Sequence, residues 1–362
     1  MIGRLVIFVV FVALCLPAAA LRSEDRAVAH ANSIRKGEIT YSEGYFGEGG
    51  NRLHYVEAGK GPLVILYHGF PSFWYSWFDQ MEELKGRYRV VAVDGLGAGL
   101  SAKPESLVAY RVEKLAEQTD RLARHLNGKR RFTLIGHDWG AALAFAYAQA
   151  YPKRLNAVIG MSAPQYNLFL QTLRTSKEQQ SRSTYMQFFR TATLDDIRSR
   201  NMGEQIWRQS YGALLERGDL NKDEGELFRA ALADPLAING GMNWYRANIP
   251  PISEIREDTF WPRANPKIKV PTLLIWGDSD RTFVPEFMDQ MSGYSSDMQI
   301  VRLPGINHWT SIERSERASK EIAMFLKSKT GSMRKTQSNY CFHYIFPTSF
   351  IKILFQLCQS AR

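Results

Sequence analysis

The sequence predicts an α/β protein, in which a mostly parallel, doubly wound sheet is interrupted by a helical cap. Two observations support this prediction. Short apolar runs alternate along the chain with longer helical segments, as buried parallel strands alternate with crossover helices. One long interval lacks such runs and has a helical pattern throughout. With 362 residues, 45% of them hydrophobic, the chain can bury the large core that this fold needs.

Six apolar runs are the predicted strands of the sheet. Each is rich in aliphatic residues and closes in glycine or a polar turn, which is typical of fully buried strands. In chain order they are GPLVILYHG, YRVVAVDG, RFTLIGHD, LNAVIGMSAP, KVPTLLIWGD and MQIVRLPG. Helices predicted at Val112 to Leu126 and Ala141 to Tyr151 separate the early runs, which favours parallel strands joined by right-handed crossovers.

The interval between the fourth and fifth runs is the predicted cap. From about Leu168 to Arg263 it is rich in Arg, Gln, Met and aromatic residues and has no strong buried-strand run. After the sixth run, SERASKEIAMFLKSK predicts a closing amphipathic helix. We therefore expect a core of residues 40–165 and 264–328, split by a cap of residues 166–263.

The two ends of the chain depart from this pattern. Arg4 precedes an apolar run from Leu5 to Leu21, and the small residues Ala18 to Ala20 resemble a signal-peptidase site. Residues 1–21 are therefore predicted to be a signal peptide or an uncleaved membrane anchor. Both alternatives predict the secretory pathway, with the protein either secreted or associated with the endoplasmic reticulum membrane. Residues 329–362 form an apolar, aromatic tail to which we assign no role.

Composition excludes several classes of partner and chemistry. The formal net charge is +10, but basic and acidic residues alternate through most of the chain, so we expect a solvated surface and no nucleic-acid partner. The three cysteines are Cys15, Cys341 and Cys358, which leaves the body without a disulfide framework or a thiolate nucleophile. Because no histidines or cysteines are paired at ligand spacing, we expect neither a metal nor a cofactor. The oligomeric state stays open.

The pentapeptide GHDWG, Gly136 to Gly140, has the pattern of a nucleophile elbow. In such an elbow a strand passes through a tight turn into a helix, and small neighbours allow the apex residue to adopt strained dihedral angles. Asp138 occupies the apex, where many hydrolases have serine. The alternative is an ordinary βα turn in which Asp138 caps the following helix.

A base and an orienting acid follow the elbow in the order that such a nucleophile requires. Asp278 and Asp280 lie in the loop after the fifth run, and His308 lies in the loop after the sixth. The carboxyl ends of parallel strands are where doubly wound sheets keep their sites. This order and placement favour a catalytic His308 over a loop histidine held by the backbone, whereas the spacing does not choose between Asp278 and Asp280.

Several separated motifs together resemble the soluble-type epoxide hydrolases of the α/β-hydrolase superfamily. They are HGFPSFWYSW, DGLGAGLSAKP, GHDWGAALAFAYA, NWYR, GDSDRTFVP and NHW, and the resemblance extends from about Gly44 to Lys327. It implies an α/β-hydrolase fold, with Asp138 as the nucleophile and His308 as the general base. In the family the acid lies five residues before the proline of its loop, and counting back from Pro285 gives Asp280.

The resemblance also implies the groups that stabilise charge. The backbone N–H groups of Phe70 and Trp139 match the oxyanion hole. Tyr245 in NWYR matches one of the two tyrosines that give a proton to the epoxide oxygen. Tyr185 in TYMQFF is assigned to the other from its sequence spacing to the aromatic pair Phe188 and Phe189. Ala98 in GLGAGLS departs from the family, in which many members have an aromatic residue there.

A carboxylate at the elbow attacks a different kind of carbon from a serine. Asp138, with an ordinary pKa of ~3.9, is charged at neutral pH and can form an alkyl ester at a saturated carbon. The predicted function is therefore hydrolysis of a small hydrophobic epoxide, first among them a lipid epoxide, with water that His308 activates. One alternative is a haloalkane or haloacid dehalogenase with Trp139 and Trp244 as halide donors. The other is a silent relative that binds a lipid in the cap cleft.

Overall fold

The computed structural model describes residues 41–329, which contain an eight-stranded sheet. The strands are β1 Ser42–Phe46, β2 Leu53–Ala58, β3 Leu63–Tyr67, β4 Arg89–Val93, β5 Phe132–His137, β6 Leu155–Met161, β7 Thr272–Gly277 and β8 Met298–Leu303. Their order across the sheet is β1, β2, β4, β3, β5, β6, β7, β8. β2 pairs antiparallel with both β1 and β4, and the pairs from β4 to β8 are parallel.

The predicted mostly parallel, doubly wound sheet is confirmed, because the six predicted runs form β3 to β8. The two antiparallel strands at the edge were not predicted. β1 alternates exposed and half-buried residues, and β2 contains His54 and Glu57 among its apolar residues. Neither strand therefore has the continuous apolar run by which the other six are recognised.

Both faces of the central sheet are buried. In β3, Leu63, Ile65 and Tyr67 join one hydrophobic cluster, whereas Val64 and Leu66 join another. Since neighbouring side chains of a strand point to opposite faces, each face has a core of its own. This explains why β3 is apolar throughout rather than alternating.

Helices connect the strands of the core. The first three are α1 Phe78–Leu84, α2 Val112–Asn127 and α3 Trp139–Ala150. In α2, Leu115, Leu122 and Leu126 are buried at helical spacing. The helix ends before Gly128, whose φ of 62° is readily adopted only by glycine. α2 is thus an amphipathic helix with its apolar side on the sheet.

The chain between β6 and β7 is helical. Its helices are α4 Tyr166–Thr175, α5 Lys177–Arg182, α6 Thr184–Thr191, α7 Leu194–Ser199, α8 Met202–Trp207, α9 Ala213–Arg217, α10 Lys222–Ala231 and α11 Pro235–Asn248. Asn248 ties the end of α11 to the core, because its side chain accepts a hydrogen bond from the Val112 N–H and donates one to the Tyr110 carbonyl, both at 2.8 Å. This contact holds α11 against the start of α2.

Two helices complete the described chain, α12 Glu286–Ser292 before β8 and α13, residues 315–329, after it. Among residues 41–329, every helix falls short of the length and hydropathy that a membrane-spanning helix requires. The predicted signal peptide or anchor of residues 1–21 lies outside the described residues, as does the predicted tail beyond residue 329.

Candidate active site

The turn between β5 and α3 has the geometry of a nucleophile elbow. Asp138 has φ 53° and ψ −120°, a conformation that residues other than glycine rarely adopt. A Cβ atom at Gly136 would lie 2.0 Å from the Gly140 carbonyl oxygen, and one at Gly140 would lie 2.0 Å from the Tyr67 carbonyl oxygen. Both glycines are therefore required. Asp138 occupies the N-cap position of α3, but its side chain makes no capping hydrogen bond within the described chain, which argues against the helix-cap alternative.

The carboxylate of Asp138 lies beside two backbone amides. The Phe70 N–H donates to Oδ1 at 3.0 Å, and the Trp139 amide contributes to the low pKa of the carboxylate. Burial disfavours the charged form of Asp138. The hydrogen bond to His308 and the charge of His308 outweigh this effect, and with the Trp139 amide they hold the pKa of Asp138 below its ordinary value. Asp138 is therefore an ionised, buried carboxylate at neutral pH.

His308 lies between two carboxylates. Its Nδ1 atom is 2.9 Å from Asp280 Oδ2, and its Nε2 atom is 3.4 Å from Asp138 Oδ2. Burial lowers the pKa of His308, but the charges of Asp280 and Asp138 outweigh it and raise that pKa to about 10. Asp278 instead forms an ion pair with Arg302 at 2.8 Å on an exposed surface. The structure thus brings Asp280, and not Asp278, to the imidazole.

The loop that carries His308 is held by a histidine that the sequence reasoning missed. His137 Nε2 lies 2.8 Å from the His308 carbonyl oxygen, and because a carbonyl only accepts, this nitrogen must donate. Burial, followed by the charge of His308, lowers the pKa of His137 to about 4, so its ring is neutral. The sequence could have indicated His137 as a site residue, because it lies next to Asp138 in GHDWG.

The two predicted tyrosines face Asp138 from the helical segment. Tyr185 lies on α6 and Tyr245 on α11, with ring centroids 6.1 Å apart. Burial raises the pKa of Tyr185, and the negative charge of Asp138 raises it further. Burial likewise raises the pKa of Tyr245, with Tyr185 and Asp138 adding to the effect. Both hydroxyls therefore keep their protons at neutral pH.

Asp138 and both tyrosines line one pocket, here named the reaction pocket. Its other walls are apolar, and Trp139, Phe169, Met186 and Phe283 contribute to them. Of the described residues that line it, none is a lysine or arginine. A carboxylate and two tyrosine side chains thus line one pocket whose other walls are apolar.

Comparisons with known proteins show the family to which the chain belongs. The α/β hydrolase fold family model matches residues 62–315. Epoxide hydrolase 3 of Xenopus tropicalis is 30% identical over 288 residues, which cover 77% of this chain and 76% of that protein. Epoxide hydrolase 4 of Homo sapiens is 30% identical over 291 residues, with 78% of each chain covered.

The chain belongs to the epoxide hydrolase family of α/β hydrolases. A solved structure supports the same placement: the epoxide hydrolase of Bacillus megaterium, determined in complex with an inhibitor, superposes with a TM-score of 0.71. It is 28% identical, and the match covers 78% of this chain and all of that one. The predicted α/β-hydrolase fold is confirmed by these matches.

One feature of this hydrolase argues against the dehalogenase alternative. A halide site needs N–H donors that are free to point at the leaving group, and Trp139 and Trp244 were the candidates. The indole N–H of Trp244 donates to the Leu96 carbonyl at 2.8 Å and is therefore engaged. Relatives and geometry together favour epoxide chemistry over halide release.

Proposed function

We propose that the protein hydrolyses epoxides to vicinal diols through an alkyl ester on Asp138. The observation that supports this most directly is the opposition of an ionised carboxylate to two protonated tyrosine hydroxyls in one apolar pocket. A strained ring bound between them meets a nucleophile on one side and proton donors on the other. An alkoxide is a poor leaving group, so it needs such donors.

In the first step, an Asp138 oxygen attacks one ring carbon and the carbon–oxygen bond of the ring breaks. The electron pair stays on the ring oxygen, which takes a proton from Tyr185 or Tyr245. The tyrosinate then regains a proton from the His308 imidazolium. The products of this half-reaction are an ester and a neutral imidazole, which can act as a base.

In the second step, His308 takes one proton from a water molecule, whose oxygen attacks the carboxyl carbon of Asp138. The N–H groups of Phe70 and Trp139 stabilise the oxyanion that forms there. The ester then collapses, and the departing alkoxide takes the second proton of the water. Asp138 is a carboxylate again, His308 is protonated, and the diol leaves.

Isotope labelling tests this mechanism. In a single turnover in oxygen-18 water with enzyme in excess, we expect the label in the peptide that contains Asp138 and an unlabelled diol. The peptide that contains Asp280 is the internal control and should stay unlabelled. Labelled diol with unlabelled Asp138 would contradict the ester and indicate direct attack of water on the ring.

We propose further that residues 166–263 act as a cap that closes the site, because Tyr185 and Tyr245 lie on α6 and α11. The apolar walls of the reaction pocket support a hydrophobic, lipid-like epoxide as substrate. Residues 1–21 would direct the protein to the secretory pathway and, if uncleaved, associate it with a membrane. Digestion of microsomes with protease, with and without detergent, tests this location, because protection only without detergent is expected.

A further inference from the structure

The loop that carries His308, here named the His308 loop, contains a buried carboxylate that the proposed mechanism does not use, Glu313. Its Oε2 atom accepts a hydrogen bond from the Asn307 N–H at 3.2 Å, and Asn307 Oδ1 accepts one from the His308 N–H at 3.0 Å. The Glu313 N–H donates to the Trp309 carbonyl at 2.7 Å. Glu313 therefore holds the residues on both sides of His308.

A second partner of the Glu313 carboxylate lies in the helical segment. Arg217, the last residue of α9, donates from Nη2 to Glu313 Oε2 at 2.9 Å. Its side chain is 47% exposed, whereas that of Glu313 is buried. Removal of a carboxylate from water has a free-energy cost, and a neutral glutamine could accept the Asn307 N–H at a lower one. The partner that calls for a charge at position 313 is therefore Arg217 and not the amide.

The same stretch of the helical segment contacts the residue after the base. A π-helical turn, Arg208–Gly212, joins α8 to α9, and Tyr211 within it is fully buried. The rings of Tyr211 and Trp309 pack together with centroids 5.0 Å apart. Turns of this kind recur at functional sites. Residues 208–217 thus meet the His308 loop at two points, one aromatic and one ionic.

We propose that Glu313 is a positioning residue for His308 and that its ion pair with Arg217 fixes the base relative to the helical segment. This inference rests on the proposed function and assigns both residues to its second step, in which His308 activates water. Neither residue lines the reaction pocket, so each acts through the backbone of the His308 loop. Since the base is needed to hydrolyse the ester and not to form it, loss of the ion pair should slow ester hydrolysis alone.

Single-turnover kinetics test the proposal. Rapid-quench mass spectrometry with styrene oxide measures the rate constants for formation and for hydrolysis of the ester on Asp138. For Arg217→Met we expect ester hydrolysis to slow about tenfold and ester formation to change less than about twofold. Glu313→Gln should show the same division, and the variant with both substitutions should be no slower than either alone, because both remove one interaction. Arg217→Lys, which keeps the charge, should restore most of the rate.

Two controls isolate this ion pair from the others nearby. Arg229→Met is matched to Arg217→Met, because Arg229 is 44% exposed and pairs with Glu204 at 2.8 Å within the helical segment. Asp219→Asn is the second, since Arg217 also pairs with Asp219 at 2.9 Å. Both should leave the two rate constants unchanged. Slower ester hydrolysis in either control, equal losses of formation and hydrolysis in Arg217→Met and Glu313→Gln, or no loss in them, would overturn the proposal.

A measurement without turnover separates this inference from the proposed function. His308 Nδ1 lies 2.9 Å from Asp280 Oδ2, so its proton should give a downfield NMR resonance that is absent from His308→Gln. In Arg217→Met we expect this resonance to shift and its exchange with water to quicken, whereas in Arg229→Met it should not change. An unchanged resonance in Arg217→Met would overturn the positioning role, whether or not the protein turns over epoxides. If wild type forms no ester while the resonance responds as expected, the proposed function fails and the positioning role stands.

Discussion

The Nε2 atom of His308 lies 3.4 Å from the Oδ2 atom of Asp138. While Asp138 is a carboxylate, its charge and that of Asp280 together keep a proton on His308, with a pKa of about 10. Conversion of Asp138 to an ester removes one of the two charges, so the pKa of the imidazole must fall. In the proposed mechanism the base therefore becomes available only after the first step has made the ester that it serves to hydrolyse.

His308→Gln should separate the two half-reactions. Ring opening needs Asp138 and the tyrosines, whereas ester hydrolysis needs the base, so the variant should accumulate the alkyl ester. Intact-protein mass spectrometry after mixing with an epoxide should show an increase equal to the mass of one substrate. Asp138→Asn combined with His308→Gln is the control and should show no adduct. Turnover of His308→Gln at the wild-type rate would refute the role of this histidine.

The two aspartates of the loop after β7 should differ sharply. Asp280→Asn removes the charge that orients His308 and stabilises its protonated form, so kcat should fall about a hundredfold or more. Asp278→Asn breaks only the exposed ion pair with Arg302 and should leave kcat close to wild type. Stopped-flow and steady-state assays of both variants decide the matter. Similar losses in the two variants would argue against the assignment of Asp280.

Tyr245→Phe and Tyr185→Phe should slow ring opening and spare ester hydrolysis. Loss of a proton donor should reduce the rate constant for Asp138 alkylation about a hundredfold. Rapid-quench mass spectrometry measures the formation and the decay of the ester separately. Tyr166→Phe is the matched control, since Tyr166 lines the same pocket but its hydroxyl donates to the Asn248 carbonyl at 2.7 Å. Equal effects at all three positions would indicate a packing role.

Stability should depend on pH through His308. Its pKa is raised from 6.5 to about 10 in the folded protein, so the native state holds the proton more tightly than the unfolded chain. The resulting stabilisation is fully present below pH ~6.5 and is lost as pH rises toward about 10. Chemical denaturation between pH 6.5 and 10 should show a fall in the free energy of unfolding of wild type that is smaller in His308→Gln. Parallel profiles for the two proteins would contradict the raised pKa.

The sequence was sufficient for the parallel part of the sheet and for the order of the candidate site residues. Strands buried on both faces are continuous apolar runs, and loops at their carboxyl ends meet at one edge whatever the details of packing. This physical regularity is why Asp138 and His308 could be paired across 170 residues of chain. The edge strands β1 and β2 mix polar and apolar residues, and only their hydrogen-bonding partners define them.

Other features depend on contacts that no local pattern encodes. Two contacts distinguish Asp278 from Asp280. Asp278 pairs with Arg302 at the surface, whereas Asp280 contacts the His308 imidazole. Sequence spacing identifies candidate site residues, whereas only contacts in the folded protein distinguish among them.

The candidate base, His308, lies in the loop after the strand at one edge of the sheet. His308 follows β8, which pairs only with β7 among the described strands, and β8 follows the whole helical segment in the chain. A ribosome therefore completes the nucleophile elbow and the oxyanion hole long before it makes the histidine. In the proposed mechanism, a chain that lacks β8 and the loop after it would lack the base that hydrolyses the ester on Asp138.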